Sequence, residues 1–264
     1  MSRTALVTGA SSGIGQATAA ALAKRGYRVI GTSRDPSRAQ QMDGVEFVRL
    51  DLNDDASIEA LGDTLRGVDV LVNNAGESQS GPFEDLPGYA VRRLFQTNVF
   101  GAVRLAQLAL PGMRERGYGR IVMVGSMVAS FPIAYRSSYV AAKAALRGFA
   151  TAARYELTPF GVWLTTVEPG SIRTGISARR TNFVAENSSH GKDFAAVLSY
   201  LDSNERGGTP VGKVVETIIR AIEADRPKPL YAVGSGAPLV FALRRLIPRT
   251  TAERLIQRRY GITR

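Results

Sequence analysis

Tyr139 and Lys143 lie four residues apart in the segment YVAAK, and Ser126 lies thirteen residues before the tyrosine. Side chains four residues apart on a helix share one face. A phenol loses its proton only at about pH 10, but an ammonium about 4 Å away stabilises the phenolate by up to roughly 4 kcal/mol at an effective dielectric constant of about 20. The pair therefore predicts a residue that exchanges protons, and a hydroxyl such as that of Ser126 is suited to hold a substrate carbonyl.

The same spacing also fits a packing tyrosine beside a solvated lysine, so the interpretation needs a cofactor site. One is predicted near the N-terminus, where an apolar segment at 5–7 leads into the turn TGASSGIG at 8–15 and a helical run at 16–24. Glycines let the backbone turn tightly and approach a pyrophosphate, whose charge is favoured at a helix N-terminus. The order of strand, glycine-rich turn and helix is typical of a dinucleotide site.

Three more motifs follow apolar segments that read as strands. The segment NNAG at 73–76 follows residues 68–72, Ser126 follows residues 121–125, and Pro169-Gly170 with Thr174 follows residues 162–167. Together with the glycine turn and the YVAAK segment, these motifs resemble the short-chain dehydrogenase/reductase family in their types and order. The resemblance covers about residues 3–234.

This resemblance implies roles for four catalytic residues. Tyr139 corresponds to the general acid/base, Lys143 to the residue that favours its ionisation and binds the nicotinamide ribose, and Ser126 to the residue that holds the carbonyl. Asn98 corresponds to a fourth member, which holds a water linking the lysine to solvent. For Asn98 a structural alternative stays open, since an asparagine inside a helix also hydrogen-bonds backbone carbonyls.

The resemblance also implies a set of residues around a nicotinamide dinucleotide, to which Tyr139 and Lys143 belong. No metal site is expected. The pyrophosphate turn comprises Gly9, Ser11, Ser12, Gly13, Ile14 and Gly15; the adenine contacts Asp51 and Leu52; the adenosine side comprises Asn74, Ala75 and Gly76; and the nicotinamide side comprises Pro169, Gly170, Ile172 and Thr174.

The choice between NADP and NAD depends on residues 33–35, at the end of the second strand. An acid there binds the ribose 2′-hydroxyl of NAD, whereas an arginine accommodates the 2′-phosphate of NADP. Spacing alone does not separate Ser33, Arg34 and Asp35. The resemblance places the selecting position at Ser33 with a basic neighbour in NADP-preferring members, and Asp35 reads as a turn residue before a proline. NADP is favoured, although Ser12 stands where many such members carry a base, and NAD remains the alternative.

Length and composition fit one α/β domain over residues 1–264. Val-, Ile- and Leu-rich strand segments alternate with helical segments, which predicts a Rossmann-like, doubly wound parallel sheet of about seven strands with helices on both faces. The chain contains no cysteine. The first strand begins soon after Met1 and no long uncharged apolar stretch follows, so a cytoplasmic protein is expected.

The net charge of +11 raises the question of nucleic-acid binding. Residues 237–264 contain seven arginines and one glutamate, so more than half of the excess charge lies in this C-terminal extension. The body carries an oxidoreductase site and no pattern of aromatic and basic residues for nucleic acid. No nucleic-acid partner is expected.

The substrate is predicted to be a small carbonyl compound or alcohol with apolar character. In relatives the pocket is lined by the loop after the catalytic strand, here 127–135, and by a lid, here 173–206. The resemblance is greatest to the branch that contains hydroxysteroid, retinoid and other keto-lipid reductases. The predicted pocket residues are Met127, Val128, Phe131, Pro132 and Ile133 in the loop and Phe183, Val184, Phe194, Val197, Leu198 and Tyr200 in the lid.

Two long helices, at 85–116 and 138–158, are expected to form the contact of a homodimer or homotetramer, as they do in relatives. In the C-terminal extension, apolar residues at helical spacing from 239 to 247 oppose Arg244 and Arg245, and a shorter helix is predicted at 251–260. Such a tail docks on the body, caps the pocket or rests on an anionic membrane. A catalytically silent, cofactor-sensing regulator is the alternative function. A sugar-nucleotide epimerase does not fit, because it has a longer chain and a different glycine turn.

Overall fold

Nine parallel-paired strands build two sheets in the computed structural model, which describes residues 2–243 and 246–260. The strands are β1 (Thr4–Val7), β2 (Arg28–Ser33), β3 (Val45–Arg49), β4 (Val70–Asn73), β5 (Gln79–Ser80), β6 (Gly119–Val124), β7 (Val162–Pro169), β8 (Thr181–Asn182) and β9 (Leu230–Val233). Seven of them form one sheet in the order β3-β2-β1-β4-β6-β7-β9, and β5 pairs with β8. The order reverses direction between β1 and β4, where a doubly wound sheet opens a crevice for ligands.

Helices follow the strands along the chain and cover both faces of the large sheet. They are α1 (Gly13–Ala23), α2 (Asp55–Glu59), α3 (Gly62–Arg66), α4 (Gly88–Phe95), α5 (Gly101–Glu115), α6 (Ser137–Leu157), α7 (Gly191–Arg206), α8 (Val211–Glu223), α9 (Ala237–Leu243) and α10 (Arg249–Arg259). The predicted fold, a Rossmann-like parallel sheet of seven strands, is confirmed.

Each face of the sheet has its own apolar core. On one face, α1 and α8 pack against strand side chains such as Val7 and Val122, and α8 contributes Ile218 to this core. On the other, α3, α5 and α6 pack against strand side chains such as Leu6 and Ile121, and α6 contributes Leu146 to this core. Strand β6 is buried along its whole length, as a central strand covered on both faces must be.

The predicted helix at 85–116 is divided in the structure. α4 ends at Phe95, a wider π-helical turn runs over Gln96–Phe100, and α5 continues to Glu115. A π-helical turn inserts an extra residue and is frequently found at functional sites; this one carries Asn98. None of the helices in the described ranges has the length and apolarity needed to cross a membrane.

Candidate active site

Tyr139 and Lys143 lie together on the wall of a cavity of about 450 Å³, and both are almost fully buried. Both project from α6, as the four-residue spacing predicts. The Lys143 ammonium lies 5.8 Å from the centre of the Tyr139 ring and donates to the Val124 carbonyl oxygen at 3.0 Å. The predicted site residues on the cavity wall are Ile14, Asn74, Gly76, Ser126, Tyr139, Lys143, Pro169, Gly170, Ile172 and Thr174.

Ser126 reaches the same cavity from the end of β6. Its hydroxyl accepts a hydrogen bond from the Val128 backbone N–H at 3.4 Å and so begins the short helix Met127–Ala129. The hydroxyl hydrogen is free to rotate, so Ser126 can still donate to a ligand oxygen. The strand end and α6 thus bring a hydroxyl, a phenol and an ammonium to one wall.

Asn98 is buried beside this group, in the π-helical turn. Its amide oxygen accepts from the Glu77 N–H at 2.8 Å and its amide nitrogen donates to the Glu77 carbonyl at 2.9 Å. A Cβ atom on Gly76 would lie 3.0 Å from the Asn98 oxygen and 3.6 Å from the Lys143 ammonium, so Asn98 and Lys143 meet across Gly76. The side chain of Asn98 holds the backbone after β4, which is the structural alternative raised above.

The glycine turn between β1 and α1 has the geometry of a pyrophosphate cradle. Gly9 and Gly13 have positive φ angles of 64° and 57°, a region that favours glycine. At Gly15 a Cβ atom would lie 2.3 Å from the Gly9 carbonyl oxygen, so no side chain fits there. Among the described residues no side chain caps α1, which leaves its first N–H groups for an anion. The residues present fit a dinucleotide.

Other predicted cofactor residues close around this turn. The Thr8 hydroxyl accepts from the backbone N–H groups of Asn74 and Ala75, at 2.9 Å each, and the Asn74 amide donates to the Thr8 carbonyl at 3.0 Å. Thr174 approaches from the lid side, 3.6 Å from where a Cβ atom on Gly13 would stand. The ends of β1, β4 and β7 therefore meet at one crevice.

At the end of β2, Arg34 is exposed and Asp35 is occupied with its own turn. The Asp35 carboxylate accepts hydrogen bonds from the Ser37 N–H at 3.1 Å and from the Ser37 hydroxyl at 2.6 Å. The Ser37 hydroxyl is the main reason that the pKa of Asp35 lies below its ordinary value. The Ser33 hydroxyl also bonds the Asp35 backbone, so Asp35 is a turn residue, as its place before Pro36 predicts.

The two residues assigned to the adenine lie at the end of β3, away from the cavity. The Asp51 carboxylate accepts from the Asn53 N–H at 3.0 Å. Leu52 is buried, and its carbonyl accepts from the Gln96 amide at 3.2 Å. Leu52 also packs against Gly101, where a Cβ atom would come within 2.9 Å of it. Leu52 is thus chiefly a core residue.

Glu205 of α7 ties the two ends of the lid to each other, and sequence reasoning missed it. Its carboxylate accepts from the backbone N–H groups of Ile176 and Ser177 at 2.8 Å each and of Thr174 at 3.3 Å. Burial alone would raise the pKa of Glu205, but the hydrogen bonds from Ser177, Ile176 and Thr174 outweigh it, so the pKa lies below its ordinary value. One carboxylate therefore fixes the backbone that follows β7.

The C-terminal extension forms part of the cavity wall. Gln257 of α10 accepts from the Ala134 N–H at 3.4 Å, and Arg259 donates to the Tyr200 hydroxyl at 2.7 Å. The rings of Phe131 and Phe241 lie edge to face, 5.0 Å apart. Four residues of the extension line the cavity: Val240, Ile256, Arg259 and Tyr260. Arg244 and Arg245, predicted on the polar side of the first helix, lie outside the described residues.

The predicted pocket is correct for the loop and wrong for the lid. Of the loop residues, only Pro132 is absent from the cavity wall. None of the six lid residues lines it: Phe194 and Val197 are buried, and Val184 is exposed. The lid lines the cavity with other residues, namely Ile176, Ser177, Arg180, Leu201, Asn204 and Glu205. The helical register of α7 turns its most apolar side chains into the protein instead.

The cavity is also more basic than predicted, because Arg136, Arg180 and Arg259 line it. Arg136 immediately precedes α6 and lies three residues before Tyr139, so its nearness to the tyrosine along the chain was visible in the sequence. Arg180 and Arg259 come from segments far along the chain and carried no such signal. The wall is therefore a mixture of apolar and cationic side chains.

Comparisons with known proteins agree with this geometry. The sequence model described as short chain dehydrogenase matches residues 3–184. The uncharacterized oxidoreductase YusZ of Bacillus subtilis is 35% identical, with 97% of each chain covered, and human retinol dehydrogenase 8 is 33% identical over 85% of this chain and 79% of its own.

Solved structures give the same result. A short-chain dehydrogenase from Streptomyces avermitilis superimposes with a TM-score of 0.82 at 31% identity, covering 96% of this chain and 97% of its own. One from Sphingobium yanoikuyae in complex with NADPH gives 0.71 at 27% identity, covering 94% and 97%. The protein therefore belongs to the short-chain dehydrogenase/reductase family of oxidoreductases, which use a nicotinamide cofactor.

Proposed function

We propose that this protein is an NADP(H)-dependent oxidoreductase that interconverts a carbonyl group and a secondary alcohol on a partly apolar substrate. The observation that carries the proposal is the placement of Tyr139, Lys143 and Ser126 on one wall of a cavity that opens beside the glycine turn. This placement sets the Tyr139 phenol within reach of a carbonyl oxygen that the Ser126 hydroxyl could hold, which is the arrangement that proton exchange requires.

We propose the following roles for the four catalytic residues, and the positions of their side chains support them. When bound, the nicotinamide supplies or accepts the hydride. In reduction, the substrate carbonyl oxygen accepts a hydrogen bond from Ser126 and takes the Tyr139 proton; in oxidation the proton returns. Lys143, held by the Val124 carbonyl, favours the phenolate. We assign to Asn98 the positioning of Gly76 and Glu77 beside Lys143, and its family role in holding a water remains a proposal.

The preference for NADP is supported by the end of β2. Arg34 is exposed at the tip, and Arg38 is exposed one turn later. Asp35, the residue that could bind the ribose of NAD, already accepts two hydrogen bonds from Ser37. An arginine and no free acid at this point favour a 2′-phosphate. The NADPH bound in the Sphingobium relative agrees with this choice.

The substrate side is closed by the lid at 173–206 and by the extension at 237–264. Apolar side chains from the loop, the lid and the extension face one another across the cavity, which suits an apolar carbonyl compound. The similarity to retinol dehydrogenase 8 is consistent with such a substrate. We therefore propose that the extension caps the cavity and that its docking on the body holds it in this position.

The extension also exposes apolar residues outside the cavity. Leu246 is 81% exposed, and Leu239 and Leu243 are exposed near it. Contact of this surface with an anionic membrane, through which a lipid-like substrate could enter, is a secondary proposal.

Self-association is proposed through the outer faces of α5 and α6. Most of the apolar positions on which the expectation of an oligomer rested, such as Leu94, Leu105 and Leu146, are buried within the subunit. Tyr155 is 74% exposed and Phe149 48% exposed on α6. These rings are the residues that a homodimer or homotetramer would cover, and light scattering at micromolar concentration tests this.

The function is tested by cofactor binding followed by turnover. Thermal shift with NADPH and NADH measures the cofactor preference, and a panel of ketones, aldehydes and steroids then measures activity. Stabilisation by NADPH together with turnover supports the proposal. Binding of a cofactor without turnover of any compound would favour the silent, cofactor-sensing regulator.

A further inference from the structure

Arg136 is a buried cation without an acidic partner. Its residue is 8% exposed, its guanidinium lies 4.2 Å from the centre of the Tyr139 ring, and one terminal nitrogen donates to the Ser78 hydroxyl at 2.7 Å. Its Nε has no hydrogen-bond partner, and within residues 2–243 and 246–260 no carboxylate forms an ion pair with it. An arginine stays charged at neutral pH, and a buried charge without a counter-charge is costly.

The acidic residues nearest to the cavity are already engaged. Glu77 forms an ion pair with Arg93 at 2.8 Å, and Glu205 accepts the backbone N–H groups of the lid. Neither is free to neutralise Arg136. Neither carboxylate therefore balances the charge of Arg136, and an anion bound in the cavity would have to do so.

A second guanidinium adds to the positive charge. Arg180 is bound to Asp202 at 3.0 Å, but its side chain is 5% exposed and its Nε is also without a partner. Burial lowers the pKa of Arg136, the Tyr139 phenol opposes this, and the charge of Arg180 adds to the lowering. Both arginines line the cavity, so an anion entering it meets the unpaired charge of Arg136 and, beside it, the guanidinium that Asp202 pairs with.

The position of Arg136 limits where a substrate can have its negatively charged group. The guanidinium lies over the ring whose hydroxyl exchanges the proton, so an anion bound to it lies only a few bonds from the reacting carbon. A carboxylate matches the planar fork of a guanidinium. On the other side, Phe131, Ile133 and Ile256 provide an apolar wall for the rest of the molecule.

We infer that Arg136 binds a carboxylate of the substrate, and that the substrate is a 3-oxo or 3-hydroxy acid with an apolar chain. The inference rests on the proposed function for the reacting group, but the carboxylate site itself does not depend on turnover. Arg180 assists by its charge, and the chain occupies the apolar part of the cavity.

Turnover is tested with 3-hydroxyoctanoate and its methyl ester, each with NADP⁺ and with NAD⁺. We expect wild-type kcat/KM for the acid to exceed that for the ester by at least about tenfold, because a hydrogen bond to a charged group contributes about 1.5–3 kcal/mol. Arg136→Met should remove this preference by acting on the acid alone, and Arg136→Lys should restore part of it. Arg92→Met, at an exposed position on α4, is the matched control.

An equal loss for acid and ester in Arg136→Met would overturn the inference, because Arg136 would then act only by positioning Tyr139. Binding is tested separately with octanoate, which has the carboxylate and chain but no reacting group, and with neutral octanamide. Octanoate should raise the melting temperature of the NADP⁺ complex more than octanamide does, in wild type and not in Arg136→Met.

The two readouts separate the inference from the proposed function. If octanoate binds no better than octanamide while neutral ketones are reduced, the carboxylate site is wrong and the oxidoreductase function stands. If octanoate binds through Arg136 and no compound is turned over, the site stands and the function is wrong.

Discussion

The cofactor side and the substrate side of the cavity are built by different means. On the cofactor side, backbone segments approach one another closely, as at Gly15, where even a methyl group would meet the Gly9 carbonyl. On the substrate side, the wall consists of side chains from the loop after β6, the lid and the C-terminal extension. Backbone geometry therefore shapes one side and side-chain identity the other.

This difference has a functional consequence. A cradle made of backbone N–H groups suits any ligand with the same pyrophosphate, and its sequence requirements are few and strict. A wall of side chains on loops and on a terminal extension can change without disturbing the sheet. One half of the cavity is thus fixed for a common cofactor, whereas the other half selects the substrate.

The largest expected effect lies where the two sides meet. Tyr139→Phe keeps the ring and removes the hydroxyl, so we expect kcat to fall by about 10² to 10⁴ while NADPH affinity stays near that of wild type. Steady-state kinetics and cofactor titration measure both. Tyr155→Phe, exposed on the same helix, is the control, and activity within about tenfold of wild type would exclude Tyr139 as the general acid.

The cofactor preference should respond next most strongly. Ser33→Asp combined with Arg34→Ala replaces a cation with a carboxylate. We expect the preference to shift toward NADH by about 2–3 kcal/mol in transition-state free energy. The ratio of kcat/KM for NADPH to that for NADH measures this shift. Arg28→Ala, exposed at the other end of β2, should leave the ratio unchanged. A wild-type protein that already prefers NADH would show that Arg34 does not select the cofactor.

Gly15→Ala tests whether the cofactor side depends on close backbone approach. Because the added methyl would lie 2.3 Å from the Gly9 oxygen, the turn must shift, and we expect a loss of about 1–3 kcal/mol in the free energy of unfolding with weaker binding of both cofactors. Gly148→Ala in α6 meets nothing within 4 Å and should be neutral or stabilising by about 0.5–1 kcal/mol. Equal behaviour of the two variants would refute the steric argument.

Removal of residues 236–264 opens the substrate side and keeps Ser235, whose hydroxyl accepts from the Ser171 N–H at 2.9 Å. We expect KM for bulky apolar substrates to rise several-fold, since Val240 and Ile256 leave the wall, with little change in NADPH affinity. Leu246→Ser alters an exposed leucine and should leave KM unchanged. A lower melting temperature with unaltered KM would mean that the extension only docks.

Binding of the full-length protein to anionic liposomes, sensitive to salt and abolished by the truncation, would support the membrane contact. If the protein ignores such liposomes at low salt, that contact is excluded.

The smallest effect concerns the pH dependence of the lid. The pKa of Glu205 is lower in the folded protein than its ordinary value, so its stabilisation of the lid is present above the ordinary value and is lost as the pH falls through the lower one. Amide exchange protection of Ile176 and Ser177 should therefore decline in acid. Glu205→Gln should show reduced protection already at neutral pH and lose the acid dependence, whereas Glu216→Gln on α8 should behave as wild type.

Local constraints made much of the fold and half of the site predictable from sequence. Alternating apolar strands and helical segments indicate a doubly wound parallel sheet, because a strand buried on both faces has to be apolar throughout. The glycine turn is visible because only glycine tolerates its φ angles and contacts. Tyr139 and Lys143 are visible because a spacing of four fixes their relation on a helix.

Contacts between distant segments were decided only by the tertiary structure. The apolar residues of α7 were predicted in the pocket, but Phe194 and Val197 are buried in the protein and do not line the cavity. Glu205 holds the lid through backbone groups that no sequence pattern marks. Arg136, Arg180 and Arg259 lie on one cavity because loops and a terminal extension fold over it. Whether the charge of each is balanced depends on its burial and on which acids already pair elsewhere, and both are decided by the tertiary structure.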